Sequence, residues 1–328
     1  MGHLENGIWR EGRDARTVNG EFVRRDSQFR ARVTADGSSG FPAEAGRYHL
    51  YVSTACPWAH RTLIFRKLKG LEEVISVSIV DPVSLQQGWV FGTGAGCVPD
   101  TVNSFHHLHE VYTKAKPDYT GRVSVPVLWD KKQSTIVSNE SSEIIRMLGS
   151  EFEVFARSHE DYYPKALRPE IDSVNELVYP SINNGVYRTG FATTQEAYER
   201  AFDALFGALD QLESRLARSR YLVRDRITEA DWRLFTTLVR FDAVYHGHFK
   251  CNLRRIADYP NLSNYVRDLY QVPGIAETVD MDHIKRHYYA SHLHINPTGI
   301  VPKGPELDFT VPHDRARKFA PVRTAQGH

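Results

Sequence analysis

The residues best suited to chemistry lie in one short stretch, 54–61, with the sequence Thr-Ala-Cys-Pro-Trp-Ala-His-Arg. Cys56 stands directly before a proline. Proline fits the first turn of a helix, where its missing N–H has no intrahelical partner to lose. Residues 47–53 alternate and are rich in β-formers, so they predict a strand; residues 63–69 carry apolar side chains at helical spacing. Cys56 is thereby expected at a strand-to-helix turn, beside backbone N–H groups and a helix dipole that favour the nucleophilic thiolate. Arg61, one turn on, adds positive potential. The competing account is a buried, inert cysteine, and the order strand, Cys-Pro, helix argues against it. The residue three after Cys56 is Ala59, not a second cysteine. A disulfide between Cys56 and a substrate must therefore be resolved by an external thiol, and glutathione is the abundant one.

The elements that position this thiol follow from the pattern on either side. Residues 74–80 predict a second strand, and a strand–helix–strand order implies a parallel pair with a crossover. Residues 81–121 break the pattern with glycines at 88, 92, 94 and 96, which predicts a long inserted loop. Trp89 in that loop either stacks over a ligand or pins the loop to the body. Residues 122–129 and 135–139 predict a hairpin, and Pro126 within it marks an edge, a bulge or a cis bond. Glu140 and Ser141 open a helix whose backbone donors suit a bound carboxylate. Residues 1–46 are polar and turn-rich and predict an extended arm lying on the domain. From about residue 164 helical patterns dominate, at 169–179, 194–218, 229–241 and 262–271, with a capping signal at Thr228 and Asp231. Residues 296–328 predict an irregular tail. The expected division is an arm (1–46), an α/β domain (47–155) holding the loop 81–121, an all-helical domain (164–295) and the tail.

Composition narrows the function classes. The 328 residues carry a net charge of +1, which gives no electrostatic reason to expect nucleic acid or an acidic membrane surface as partner. No run approaches a signal peptide or a membrane span. Cysteines at 56, 97 and 251 are too few for a disulfide framework and fit a reducing cytoplasm. Cys97 and Cys251 lack the Cys-Pro-helix context and are expected to be structural. The histidines at 106, 107 and 109, at 246 and 248, at 283 and 287, and at 292 and 294 lack a cysteine partner and the spacing of a zinc-hydrolase helix. They are expected to be solvated or hydrogen-bonding rather than metal ligands.

Taken together, Cys56-Pro-Trp-Ala-His-Arg, Val125-Pro126 entering a strand, Glu140-Ser141 opening a helix and a helical second half resemble a glutathione transferase: an α/β thioredoxin-like N-terminal domain followed by an all-α C-terminal domain. A cysteine replaces the usual tyrosine or serine. With Val137-Ser-Asn-Glu-Ser, Asn183-Asn-Gly-Val-Tyr, Arg240-Phe-Asp and Ile295-Asn-Pro-Thr-Gly, the chain resembles the glutathionyl-hydroquinone reductases, or Xi-class, Omega-like transferases, from about residue 9 to 304.

The resemblance implies roles. Cys56 would be the nucleophile and Tyr187 the proton donor, with Tyr245 and Tyr288 near the thiol and helping to lower its pKa. Arg122, Val123, Ser124 and Val125 would hold the glutathione backbone, Glu140 and Ser141 its γ-glutamyl end, and Trp89 would cover the peptide. The implied reaction is reductive deglutathionylation of a glutathionyl-hydroquinone through a Cys56–glutathione disulfide. Glutathione would serve as co-substrate, with no permanent cofactor and no metal, and the protein would be a homodimer. Two alternatives stay open on the residues: a general Omega-like thiol transferase or dehydroascorbate reductase, and a non-catalytic scaffold with the same fold.

Overall fold

The computed structural model describes residues 2–12 and 17–320, so residues 1, 13–16 and 321–328 of the expected arm and tail lie outside the described residues. The arm is more ordered than its polar sequence suggests. It begins with two hairpins, β1 (Gly2–Glu5) with β2 (Ile8–Glu11) and β3 (Thr17–Val18) with β4 (Glu21–Phe22). The arm also reaches both halves of the molecule. Leu4 exchanges two backbone hydrogen bonds of 2.9 Å with Gly121, and Trp9 Nε1 donates to the Gln86 carbonyl at 3.0 Å. Arg24 Nε donates to Asn184 Oδ1 at 2.9 Å. These non-local partners supply the order that the arm's own composition lacks.

The strand expected before the cysteine forms as β5 (Tyr48–Val52), followed by α1 (Pro57–Leu68) and β6 (Ser76–Ile79). β5 and β6 pair in parallel, as the crossover requires. The long insertion is not wholly irregular. It carries α2 (Leu108–Ala115), which buries Leu108, Val111 and Tyr112 on one face and starts with Glu110 Oε2 accepting the His107 N–H at 2.7 Å. The hairpin β7 (Val127–Asp130) and β8 (Thr135–Ser138) begins only after Pro126, whose bond to Val125 is cis. The sheet order is β6-β5-β7-β8, with antiparallel pairing on the β7 side. All five residues of β5 are buried because helices and loops cover both faces of the sheet. Helix α3 (Ser141–Ser150) packs beside α1 and is capped by Glu140.

Beyond it every regular element among the described residues is helical, including α4 (Arg168–Val178), α5 (Gly185–Gly190), α6 (Gln195–Leu216), α7 (Glu229–Arg240), α8 (His246–His248), α9 (Pro260–Tyr270), α10 (Met281–Ser291) and α11 (Arg315–Lys318). The capping signal at Thr228 is realised: Asp231 Oδ2 accepts the Thr228 N–H at 2.8 Å. Two π-helical turns interrupt this half, Tyr179–Asn183 before α5 and Phe241–Tyr245 after α7. Such turns commonly mark functional positions. Helices α5 and α10 carry Tyr187 and Tyr288 and were not evident from periodicity. The tail holds α11, where Arg315 is fully buried and donates to the carbonyls of Leu216, Ser219 and Arg220.

Candidate active site

Cys56 is the N-cap of α1, with extended backbone (φ −78°, ψ 122°) and Pro57 in the first helical turn. A buried arginine from the helical half fixes this turn. Arg240, fully buried on α7, donates to the carbonyls of Thr54 at 2.7 Å and Ala55 at 2.9 Å, and to His60 Nδ1 at 2.9 Å. His283 of α10 adds a second tether. Its Nε2 donates to the Ala95 carbonyl at 2.7 Å, which leaves Nδ1 to accept the Thr54 hydroxyl at 2.8 Å. Sequence inspection places Arg240 only in a family string and His283 only among hydrogen-bonding histidines; it misses their role at this turn, because each acts across well over a hundred positions of chain.

The thiol departs from expectation in one respect. Burial pushes Cys56 up from its ordinary value. The backbone N–H groups of Ala59 and Trp58 and the charges of Arg240 and Arg24 pull the other way. They do not overcome burial, and the cysteine side chain closes no capping hydrogen bond. The sulfur's hydrogen-bond contact is the Val125 carbonyl, 3.7 Å away. No tyrosine hydroxyl bonds to it among the described residues. The other two thiols also sit high, Cys251 through full burial and Cys97 through burial beside Asp81.

Opposite the thiol lies an aromatic wall. A cavity of about 140 Å³ is lined by Cys56, Trp58, Trp89, Tyr187, His287 and Tyr288 among others. The hydroxyls of Tyr187 and Tyr288 are 2.6 Å apart, and Tyr288 is 2.9 Å from Tyr245. The three phenols form one chain, but Tyr245 is fully buried behind Tyr288 and does not line the cavity. Burial raises the pKa of all three, so each phenol keeps its proton at neutral pH. Arg24 enters from the arm with its guanidinium 4.9 Å from the ring centres of both Trp58 and Tyr187. Sequence inspection did not single it out, since the arm's place over the site is a tertiary fact.

A second cavity of about 160 Å³ holds Glu140 and Ser141 and shares Arg24, Trp58, Arg122, Ser124 and Val125 with the first. Burial works against the Glu140 charge, but hydrogen bonds from the Ser142 backbone and hydroxyl, the Arg61 charge and Ser27 hold its carboxyl below the usual value. A carboxylate beside a helix N-terminus offers an acceptor for an ammonium group and backbone donors for a carboxylate. Residues Arg122, Val123, Ser124 and Val125 run along the seam between the cavities. Tyr112 of α2 pins that segment by donating to the Ser124 carbonyl at 2.7 Å, so the insertion's helix helps position the cleft. Trp89 lines the first cavity and also stacks on His287, with ring centres 4.8 Å apart, which pins the loop to α10. The histidines at 248, 283, 287 and 292 are buried, and His248 Nε2 lies 3.2 Å from His292 Nδ1. No group of three or more potential metal ligands occurs among the described residues.

Residues 55–151 match the family model for the N-terminal domain of glutathione S-transferases, and residues 195–268 match that for the C-terminal domain. The chain is 57% identical over 306 residues to the glutathionyl-hydroquinone reductase PcpF of Sphingobium chlorophenolicum, covering 93% of this chain and 96% of that one. It is 53% identical to the glutathionyl-hydroquinone reductase YqjG of Escherichia coli strain K12, covering 97% and 100%. The chain belongs to the glutathionyl-hydroquinone reductases of the glutathione S-transferase family. The fold agrees. The glutathione-bound structure of YqjG superimposes with a TM-score of 0.90 at 52% identity, covering 97% of this chain and all of that one. A Xi-class transferase from Natrialba magadii gives 0.91 at 52% identity, covering 97% of each chain. A thioredoxin-like domain followed by an all-helical domain is thus the architecture of this reductase. Among its described residues no helix is long and apolar enough to cross a membrane.

Proposed function

We propose that this reductase removes glutathione from glutathionyl-hydroquinones, giving the hydroquinone and oxidised glutathione. The observation that carries the reading is the facing of one thiol by protonated phenols across a single aromatic cavity. Cys56, as thiolate, attacks the glutathionyl sulfur. The bond between that sulfur and the ring carbon breaks, its electron pair stays with the carbon, and Tyr187 supplies the proton. Cys56 is left disulfide-bonded to glutathione, and a second glutathione displaces it by exchange, forming oxidised glutathione. A thiol raised by burial is ionised less at neutral pH, although the thiolate it does form is the more nucleophilic for it.

In this reading the γ-glutamyl end lies against Glu140 and Ser141, and the peptide runs along residues 122–125 beneath Trp89. Tyr288 holds Tyr187 by its hydroxyl, and Tyr245 holds Tyr288 in turn. The functional division is a glutathione-binding domain (47–155) and a helical domain (164–295), working as a homodimer in the cytoplasm without a permanent cofactor.

The test is to incubate the enzyme with a glutathionyl-hydroquinone and glutathione and identify the products. Hydroquinone and oxidised glutathione are expected, with glutathione trapped on Cys56 by mass spectrometry when the second thiol is limiting. A new thioether, or a trapped adduct on Cys97 or Cys251, would overturn the mechanism.

A further inference from the structure

We infer that His287 is the hydrogen-bond acceptor for a hydroxyl of the hydroquinone ring, and so lets the site select hydroquinone conjugates over quinone or ether conjugates. The inference rests on the proposed reaction and concerns how its substrate is chosen.

The argument begins with the tautomer. His287 Nδ1 lies 2.8 Å from the carbonyl oxygen of Pro82. A carbonyl oxygen only accepts, so Nδ1 carries the proton. In a neutral imidazole the other nitrogen, Nε2, is then a bare acceptor. The ring is neutral: burial, with the Arg240 charge adding to it, drops His287 to about 4. No hydrogen bond reaches Nε2 among the described residues, whereas Nδ1 has both Pro82 and the Ser291 hydroxyl, 3.4 Å away.

The surroundings suit an oriented acceptor rather than a loose one. His287 lines the same cavity as Cys56, Tyr187 and Tyr288. Its ring is held on one face by Trp89, at 21° between planes, and its edge by Pro82. Ser291 Oγ also accepts the Ser84 N–H at 2.9 Å, which fastens the loop end carrying Pro82 to α10. The aromatic lining accepts a flat ring, and a lone pair among those rings asks for a donor. Of the two parts of the substrate, the hydroquinone offers O–H donors. The glycine carboxylate of glutathione would be repelled by a lone pair.

A quinone or a methyl ether has no proton to give and would leave Nε2 facing an oxygen lone pair. Such mismatches in a buried site discriminate strongly, because the unpaired polar group loses its solvation without gaining a partner.

The experiment pairs a substrate change with a residue change. Glutathionyl-hydroquinone and its two mono-O-methyl ethers are assayed with the unmodified enzyme, with His287→Phe and with His287→Gln. A small glutathione mixed disulfide serves as a second substrate class. For the unmodified enzyme, methylation of one of the two hydroxyls should lower kcat/KM by about thirtyfold or more. His287→Phe should lower kcat/KM on the unmethylated substrate by a similar factor, and far less on that ether or on the mixed disulfide. His287→Gln, which keeps an acceptor near the Nε2 position, should recover part of the loss. Equal treatment of both ethers and the parent by the unmodified enzyme would overturn the inference, as would a uniform loss across all substrates in His287→Phe. Turnover of the mixed disulfide with none of glutathionyl-hydroquinone would overturn the proposed reaction itself, a result distinct from either of these.

Discussion

The two walls of the cleft are made in different ways. The thiol wall is local. Cys56, Pro57 and the start of α1 are contiguous, and the chain conformation there follows from a strand running into a proline-led helix. The tyrosine wall is assembled. Tyr187, Tyr245 and Tyr288 come from three separate helical segments, and Arg24 from the arm. In the proposed reaction the thiol wall presents the reacting atom, whereas the tyrosine wall sets the proton supply and the shape around it. The comparison teaches that burial of the thiol opposes an activation offered both by the local helix N-terminus and by Arg240 and Arg24, which come from distant parts of the chain. The thiol's high value is the outcome of that contest.

The most severe way to probe the comparison is to remove the reacting atom. Cys56→Ala should lower turnover of glutathionyl-hydroquinone by about a thousandfold or more, since nucleophile loss removes the covalent route altogether. Cys97→Ser, measured alongside, should stay within about twofold. Retained turnover in Cys56→Ala would mean the thiol wall does not carry the reaction.

The next largest effect should come from the opposite wall. Tyr187→Phe keeps the ring and deletes the donor, and should cost about a hundredfold on glutathionyl-hydroquinone, the usual scale for a general acid. A mixed disulfide expels a thiolate and needs less help, so its loss should be much milder. Tyr245→Phe, one phenol further back, should cost only about tenfold or less. Equal losses on the two substrates would make Tyr187 a shaping residue instead.

A smaller effect should connect the walls. The alkylation rate of Cys56 against pH should inflect above the ordinary thiol value of about 8.5, because burial outweighs the helix and the arginines. Arg24→Met removes one of the opposing charges, so the inflection should move further up and the rate at pH 7 should fall about threefold. An inflection below the ordinary value would show the helix N-terminus and the arginines outweighing burial.

The last effect lies outside turnover and concerns stability in acid. Burial holds His49, His248 and His287 at about 4 in the folded protein. The unfolded chain takes up protons near 6.5, so between about 6.5 and 4 it binds more protons than the folded one. Stability therefore falls as pH falls through that window, by up to about 1.4 kcal/mol per pH unit for each histidine. Thermal unfolding midpoints across the window measure this, and His49→Gln, at a residue that lines neither cavity, should flatten the slope by about one histidine's share. An unchanged slope would remove His49 from the acid response.

Much of the α/β half was legible because its signals are local. The strand before Cys56, the helix after Pro57, the parallel return strand, the late hairpin and the Glu140 cap all follow from short-range pattern and backbone chemistry. Helix α2 was hidden by the glycines and histidines around it, although Glu110 three residues after His107 was an available capping signal. The short helix α5 and the π turns were hidden for another reason. A π turn shifts the apolar register by one residue, so periodicity blurs where Tyr187 and Tyr245 are placed.

By itself the sequence determined the fold class, the position of Cys56 at a helix start, and, through resemblance, the family and its tyrosines. Tertiary structure alone decided which tyrosine faces the cavity and which stands behind, that Arg240 and His283 fasten the thiol's turn, and that the arm delivers Arg24. It also decided that the thiol is raised rather than lowered. The physical reason is that a pattern reports what neighbours along the chain can do, whereas desolvation and buried hydrogen bonds depend on partners more than a hundred residues away.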